Sequence, residues 1–257
     1  MRVTFLGTGT SHGVPMIGCA CEVCRSPDPR DRRWRPSIYI EAPGGGAVLV
    51  DTGPDLRAQA LAYGVTRVDA ILYTHGHADH VVGLDEVRRF NALQRGSIPC
   101  FADELTVGEI TRMFSYVFDP RTPKGGGVPA IAFTPIRAGE ALEVAGLSIL
   151  PLTVYHGERP VLGFRVGAFA YLTDCSRIPD ETWPLLDGLE VVVLDALRER
   201  PHPTHFSLRE AVDAAGRLGA ARTYFTHICH DLPHAATCAR LPSGMALAYD
   251  GLRLEWT

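Results

Sequence analysis

No run in the 257-residue sequence is apolar for long enough to span a membrane, and the N-terminal stretch MRVTFLGTGTS is too short in its apolar part for a signal peptide. A cytoplasmic location is therefore the default expectation, with no membrane partner. Positive charge is not in excess either: 25 Lys and Arg stand against 29 Asp and Glu, a formal net charge of −4. A long nucleic acid calls for a basic surface and is not the expected partner. A small anionic substrate needs only a local positive field, which metal ions can supply. There is no G-x-x-x-x-G-K-[ST] phosphate loop, and the GTGTSHG segment leads into cysteines rather than a helix, which argues against a dinucleotide fingerprint. Internal repeats, low-complexity tracts and linkers are also missing, so residues 1–257 read as one domain.

What is there is an ordinary globular balance, 46% hydrophobic and 21% charged, enough to bury a sizeable core. Strands are expected at Met1–Leu6, at Val68–Tyr73 and, as a hairpin about Gly44–Gly46, at Ser37–Ala42 and Ala47–Asp51. Helices are expected over Pro54–Tyr63, with Pro54 in its first turn and Gly64 at its end, and over Gly83–Leu93 and Glu104–Phe114. Asp119–Pro129 is a Pro- and Gly-rich loop, and Ile131–Gly167 yields several short strands. Ala168–Thr173 and Val191–Leu194 are strands around a helix near Asp180–Leu186. Ser207 and Glu210 form a capping box that starts a helix to Leu218. A strand ends at Tyr224–Thr226, and Ala246–Tyr249 with Leu252–Trp256 read as a final hairpin. Two sheets covered by helices accommodate this order.

The chemistry concentrates in His75-Gly-His77-Ala-Asp79-His80, directly after the Val68–Tyr73 strand. Imidazole and carboxylate suit Zn²⁺, Mn²⁺ or Fe. A strand ending in a tight turn points His75 and His77 to one side, and Asp79 and His80 fall on the next helical turn, facing a second position. The spacing thus serves two metals.

A second cluster, Cys19-x-Cys21-x-x-Cys24, accounts for three of the seven cysteines. Three thiolates need one more donor to close a tetrahedral structural zinc. His230 is the candidate for this insertion around residues 18–25, with Cys229 a weaker alternative. Cys100, Cys175 and Cys238 read as small buried hydrophobes.

The H-x-H-x-D-H run resembles the signature of the metallo-β-lactamase superfamily. The resemblance implies an αββα sandwich of two mixed sheets flanked by helices, and it carries further positions in order: His156 in VYHG, Asp174 in YLTD and His227 in YFTH. By position, one metal would be held by His75, His77, His156 and Asp174, and the other by Asp79, His80, Asp174 and His227. Asp51 in VDTG matches an early aspartate that orients ligand histidines. Together with the cysteine cluster and the late H-x-x-H, the pattern GTGTSHGVPMIGCACEVC resembles the cyclic-phosphate phosphodiesterases of the carbon–phosphorus lyase pathway. That subgroup opens phosphoribosyl 1,2-cyclic phosphate and hydrolyses 2′,3′-cyclic nucleotides.

The resemblance implies a phosphoric diester hydrolase that acts through a metal-bridging hydroxide on a small phosphate ester, with Mn²⁺ or Zn²⁺ at the catalytic pair, one structural Zn²⁺ and a homodimeric assembly. His205, ahead of the Ser207 helix start, matches a histidine that assists the leaving group better than His202 does, and it joins Asp79 as a catalytic residue. His12 either lines the pocket or faces solvent. Arg33, Arg35 and Lys124 read as solvated surface able to lend charge to a phosphate, and His234 has no assigned role. The competing readings are a tRNA 3′-processing nuclease, another ester, thioester or lactam hydrolase, and a non-catalytic, redox-sensing zinc protein. The loop at 119–129 is too short and insufficiently basic for the RNA-binding arm of the first.

Overall fold

The structure is a computed structural model that describes residues 1–123 and 127–256. The chain begins with β1 (Arg2–Gly7), β2 (Ser37–Glu41), β3 (Ala47–Val50), α1 (Leu56–Tyr63), β4 (Ala70–Leu72), α2 (Ala78–Val81), α3 (Val87–Gln94) and β5 (Ile98–Ala102). It continues through α4 (Glu104–Met113), α5 (Ser115–Phe118), β6 (Ile131–Pro135), β7 (Leu142–Val144), β8 (Leu147–His156), β9 (Arg159–Val166) and β10 (Phe169–Leu172). It ends with β11 (Val191–Asp195), α6 (Leu208–Leu218), β12 (Arg222–Thr226), α7 (His234–Cys238), β13 (Met245–Leu247) and β14 (Arg253–Glu255).

The strands form two seven-stranded sheets, ordered β14-β1-β2-β3-β4-β5-β6 and β13-β12-β11-β10-β9-β8-β7. Side chains alternate across each strand and so divide between layers. In β11, Val191 and Val193 point between the sheets, while Val192 and Leu194 meet α6 on the outer face. In β3, Val48 and Val50 face the inter-sheet core, and Leu49 faces the helices that cover the first sheet. The expected sandwich of two mixed sheets flanked by helices is therefore present. No helix among the described residues is long and apolar enough to cross a membrane.

Parallel pairing decides where the chemistry lies. Strands β3 and β4 run parallel in the first sheet, and β10, β11 and β12 run parallel in the second. Their C-terminal ends consequently open on the same edge of each sheet. The residues that follow them (Asp51, His75, Asp174, Asp195 and His227) emerge together.

Four local expectations differ from the structure. The final hairpin does not form: β13 pairs parallel with β12, whereas β14 pairs antiparallel with β1 in the other sheet. Asp250, between them, is half-buried and accepts from Thr8 Oγ1 at 2.7 Å and Trp34 N at 2.6 Å, anchoring a crossing rather than a turn. Helix α1 starts at Leu56, after Pro54; Asp55 holds the N-cap position, but its carboxylate accepts from Arg35 N instead of capping the helix. The expected helix at Gly83–Leu93 is divided, with a 3-10 segment Val82–Glu86 ahead of α3. Around Asp180–Leu186 only the 3-10 turn Trp183–Leu186 exists, since Pro184 brings no N–H. Of the 119–129 loop, residues 124–126, and with them Lys124, lie outside the described residues.

The capping box is present as read: Ser207 N donates to Glu210 Oε2 at 2.8 Å, and Ser207 Oγ accepts from Glu210 N at 3.4 Å. Ser207→Ala is expected to lower stability by about 1 kcal/mol, seen as a lower urea midpoint with unchanged slope.

Candidate metal centre

The edge where the parallel strands end gathers four overlapping groups of ligand atoms. His75, His77 and His156 form one; Asp79, His80, Asp174 and His227 form the next; the atoms within each lie within 4.8 Å of one another. Asp174 lies between them. Its Oδ1 is 3.9 Å from His75 Nε2 and 3.3 Å from His227 Nε2, and its Oδ2 is 3.2 Å from His80 Nε2. Asp174 belongs to the second group and also approaches His75 of the first, a position from which a carboxylate can be shared.

Three of the imidazoles are oriented from behind. His80 Nδ1 donates to Asp51 Oδ2 at 2.7 Å. Asp51 also accepts from Thr74 N and Thr74 Oγ1, both at 2.9 Å, and Thr74 Oγ1 lies 3.0 Å from His75 Nδ1. His156 Nδ1 donates to the Thr204 carbonyl at 2.8 Å. These bonds leave the Nε2 atoms toward the cluster, and among buried atoms His75 Nε2, His80 Nε2 and His227 Nε2 have no hydrogen-bond partner. Buried polar atoms are almost always paired, so converging orphans of this kind fit a cation.

Charge points the same way. Burial opposes any ion here, yet His80 is held well above the usual histidine range by Asp174, Asp79 and Asp51. Burial likewise works against ionised Asp174, but His227, His80 and His75 hold its carboxyl well below the usual range. Burial drives His75 well below its ordinary value, toward the neutral form that ligates metal. The carboxylates thus favour positive charge at the centre while His75 resists carrying it as a proton.

The backbone is fitted to the site at some strain. Asp51, Asp174 and His227 have φ of 64°, 52° and 59°, the left-handed region that side chains with a Cβ avoid. Gly76, between the two histidines, is required by contact: a Cβ there would sit 2.1 Å from Glu109 Oε2, a carboxylate fixed by Arg159 at 2.6 Å.

His205 joins two further groups, one with His156 and Asp174 and one with Asp195 and His227, and Asp195 is a residue the sequence reading did not single out. Asp195 is buried at the end of β11, and its Oδ2 accepts from His205 Nδ1 at 2.6 Å and Cys175 N at 2.7 Å. Its signal was available, since VVVLD ends a strand in an acid as VLVD does. His205 stacks on His227, ring centroids 4.6 Å apart, and meets His156 edge-on at 4.5 Å. His202 is farther out, with its ring centroid 5.2 Å from that of His205.

The cysteine cluster is assembled too. Cys19, Cys21, Cys24 and His230 offer atoms within 4.8 Å of one another, with His230 Nδ1 at 3.2 Å from Cys19 Sγ and 3.3 Å from Cys21 Sγ. A hydrogen bond from Cys24 N, against the opposing effect of burial, brings the Cys21 thiol down to about 6, within reach of the thiolate form. Cys229 is buried and lies apart from this group; its sulfur accepts from Asp231 N at 3.3 Å. Cys100 and Cys175 are buried as expected, whereas Cys238 is partly exposed and lies 3.6 Å from His234 Nε2.

Arg33 is not solvated surface. It is 1% exposed, pairs with Asp31 at 3.0 Å and donates to the Cys229 and Leu232 carbonyls at 2.7 Å each, so it clamps the segment carrying His227 and His230. Arg35 pairs with Asp55 at 3.0 Å and, with Asp79, lines a cavity of about 580 Å³. Exposed His12 lines both that cavity and a second one of about 260 Å³ that reaches His205, so it is at once solvent-facing and at the pocket.

Asp51→Asn weakens the acceptor behind His80. Metal affinity at the His/Asp centre is expected to fall about 10–100-fold, read by competition with a chromophoric chelator.

Comparison with known proteins accords with this geometry. Residues 47–228 match the beta-lactamase superfamily domain. The chain is similar to a solved structure described as a new diphosphatase from the PhnP family, at 46% identity, covering 100% of this chain and 98% of that one, with a TM-score of 0.92. It shares its fold with Zn(2+)-bound PqqB from Methylobacterium extorquens, at 21% identity, 100% coverage of both chains and a TM-score of 0.80. It is 36% identical over 98% of its length to an octanoyltransferase of Porphyromonas gingivalis (strain ATCC BAA-308 / W83), of whose length it spans 51%. The chain is a metallo-β-lactamase-fold hydrolase that belongs to the beta-lactamase superfamily and, within it, to the PhnP-like subgroup.

Proposed function

We propose that the chain hydrolyses small phosphate esters at a two-metal centre, its substrates being cyclic phosphates of the phosphoribosyl 1,2-cyclic or 2′,3′-cyclic nucleotide type. The observation that carries this reading is the position of Asp174, one oxygen toward His75 and His227 and the other toward His80. His75, His77 and His156 would hold one divalent ion, and Asp79, His80 and His227 the other, with Asp174 shared. Zn²⁺ and Mn²⁺ both suit such donors. When bound, such ions supply a nucleophile from water at neutral pH and a counter-charge for phosphoryl oxygens.

The protein's own groups do the rest. Asp51 and Thr74 hold His80 and His75 in the tautomer that presents Nε2 inward. Asp195 fixes His205 through Nδ1, so Nε2 of His205 is the atom available to a departing oxygen. A ring-opened alkoxide is a poor leaving group, and His205 can assist it only when Nε2 also carries a proton, as imidazolium, against the burial that lowers its pKa. Cys19, Cys21, Cys24 and His230 would hold a structural zinc that stiffens the wall next to His12 and Met16.

A second reading, cleavage of a diphosphate bond, is favoured by the similarity to the PhnP-family diphosphatase. The two readings differ in the leaving group, an alkoxide in one and a phosphate in the other. Hydrolysis rates for 2′,3′-cyclic AMP and for a nucleoside diphosphate ester separate them.

His205→Ala tests the leaving-group role. Turnover of 2′,3′-cyclic AMP is expected to fall about 10²–10⁴-fold with metal content unchanged. Bis(p-nitrophenyl) phosphate should lose far less, because nitrophenolate departs without a proton. Equal loss on both substrates, or none, would remove His205 from the mechanism.

A further inference from the structure

Hydrogen bonds orient His75, His80 and His156. His77 is placed differently. It opens α2 with no side-chain bond to the helix, and its ring meets those of His75 and His156 edge-on, at 4.4 and 5.0 Å between centroids. What holds it lies under the backbone. Gly76, immediately before it, packs so closely on Glu109 of α4 that a Cβ there would run into the Glu109 carboxylate.

That carboxylate is itself fixed. Arg159 Nη1 donates to Glu109 Oε1 at 3.0 Å and Nη2 donates to Oε2 at 2.6 Å, a two-point pair between half-buried side chains. Arg159 stands directly opposite His156 in the β8–β9 register. The turn between them is tied down as well, since Gly157 N donates to Ser176 Oγ at 2.9 Å. One ion pair thus joins α4, on the first sheet, to β9, in the second. It lies between the loop that carries His75 and His77 and the strand end that carries His156. The second ligand group is braced by other parts: Asp51 behind His80, and the bridge from Gly9 to Ile228 beside His227. Glu109 is not among the clustered ligand atoms. Both its oxygens are taken by Arg159, and they offset a guanidinium charge that would otherwise oppose a cation nearby.

We propose that the Glu109–Arg159 pair positions the ligands of one ion of the two, the ion of His75, His77 and His156, and so sets its affinity separately from that of its neighbour. The inference rests on the reading of the centre as a two-ion site and is independent of the substrate.

The test titrates Zn²⁺ into chelator-treated protein against a chromophoric chelator, with metal per chain counted by elemental analysis. Wild type is compared with Glu109→Gln, Glu109→Ala and Arg159→Lys, while His77→Ala and His227→Ala mark which binding step belongs to which group. Glu109→Gln keeps the shape of the side chain and removes its charge. It is expected to weaken the His77 step about tenfold, while the His227 step and the cysteine-held zinc change far less. Glu109→Ala should lose more, and Arg159→Lys, which keeps the charge but not the two-point contact, should lose less. Equal weakening of both steps would overturn the inference. So would a lower urea midpoint in the Glu109 variants with both affinities kept, which reduces the pair to a structural contact. Two exchangeable ions in wild type, with no change in any variant, removes the inference and leaves the two-ion reading standing. Fewer than two exchangeable ions in wild type removes that reading, and the inference with it.

Discussion

Buried imidazole nitrogens that converge on two buried carboxylate oxygens have no protein hydrogens to satisfy them. His75, His80 and His227 each present an unpaired Nε2 toward Asp174, and each unsatisfied buried group costs about 1–3 kcal/mol. Left-handed backbone at Asp51, Asp174 and His227 adds further strain of about 1–3 kcal/mol per residue. The rest of the fold has to hold this cluster against its own tendency to relax. The sandwich does so by ending parallel strands of both sheets at one edge, each backed by a core strand buried on both faces. Metal binding would offset the strain, so folding and metal loading are linked.

The cysteine cluster and the His/Asp centre share this support. His227 and His230 are three residues apart, and Thr8, Gly9 and Thr10 pair with Ile228 between them. Arg33 grips the same segment through the Cys229 and Leu232 carbonyls. The N-terminal loop, the cysteine segment and the last histidine ligand thus move as one piece. That arrangement explains why an arginine is buried at this point.

Which parts are legible in the sequence follows from how local they are. The H-x-H-x-D-H run and the Cys19–Cys24 spacing are short-range patterns, whereas His156, Asp174 and His227, each alone at a strand end, are singled out only by the resemblance to the superfamily. The capping box at Ser207 is equally local. Asp195 is marked in sequence as an acid that closes a strand, but what it does is visible only with its partner His205, ten residues on across a loop. Arg33 and Arg198 look alike as charged residues in sequence; only tertiary contacts make one a buried clamp and leave the other facing a cavity. The final strands fail as a hairpin for the same reason, because the fate of Asp250 depends on Thr8 and Trp34 at the other end of the chain.

The account stands or falls on two ions sharing Asp174. The most direct measurement is elemental analysis during stepwise reloading of chelator-treated protein, with bis(p-nitrophenyl) phosphate hydrolysis followed in parallel. The account predicts about three metals per chain at saturation, two of them exchangeable and both needed for full turnover. Saturation at one metal or none, with no hydrolysis after Mn²⁺ or Zn²⁺ is restored, would contradict it.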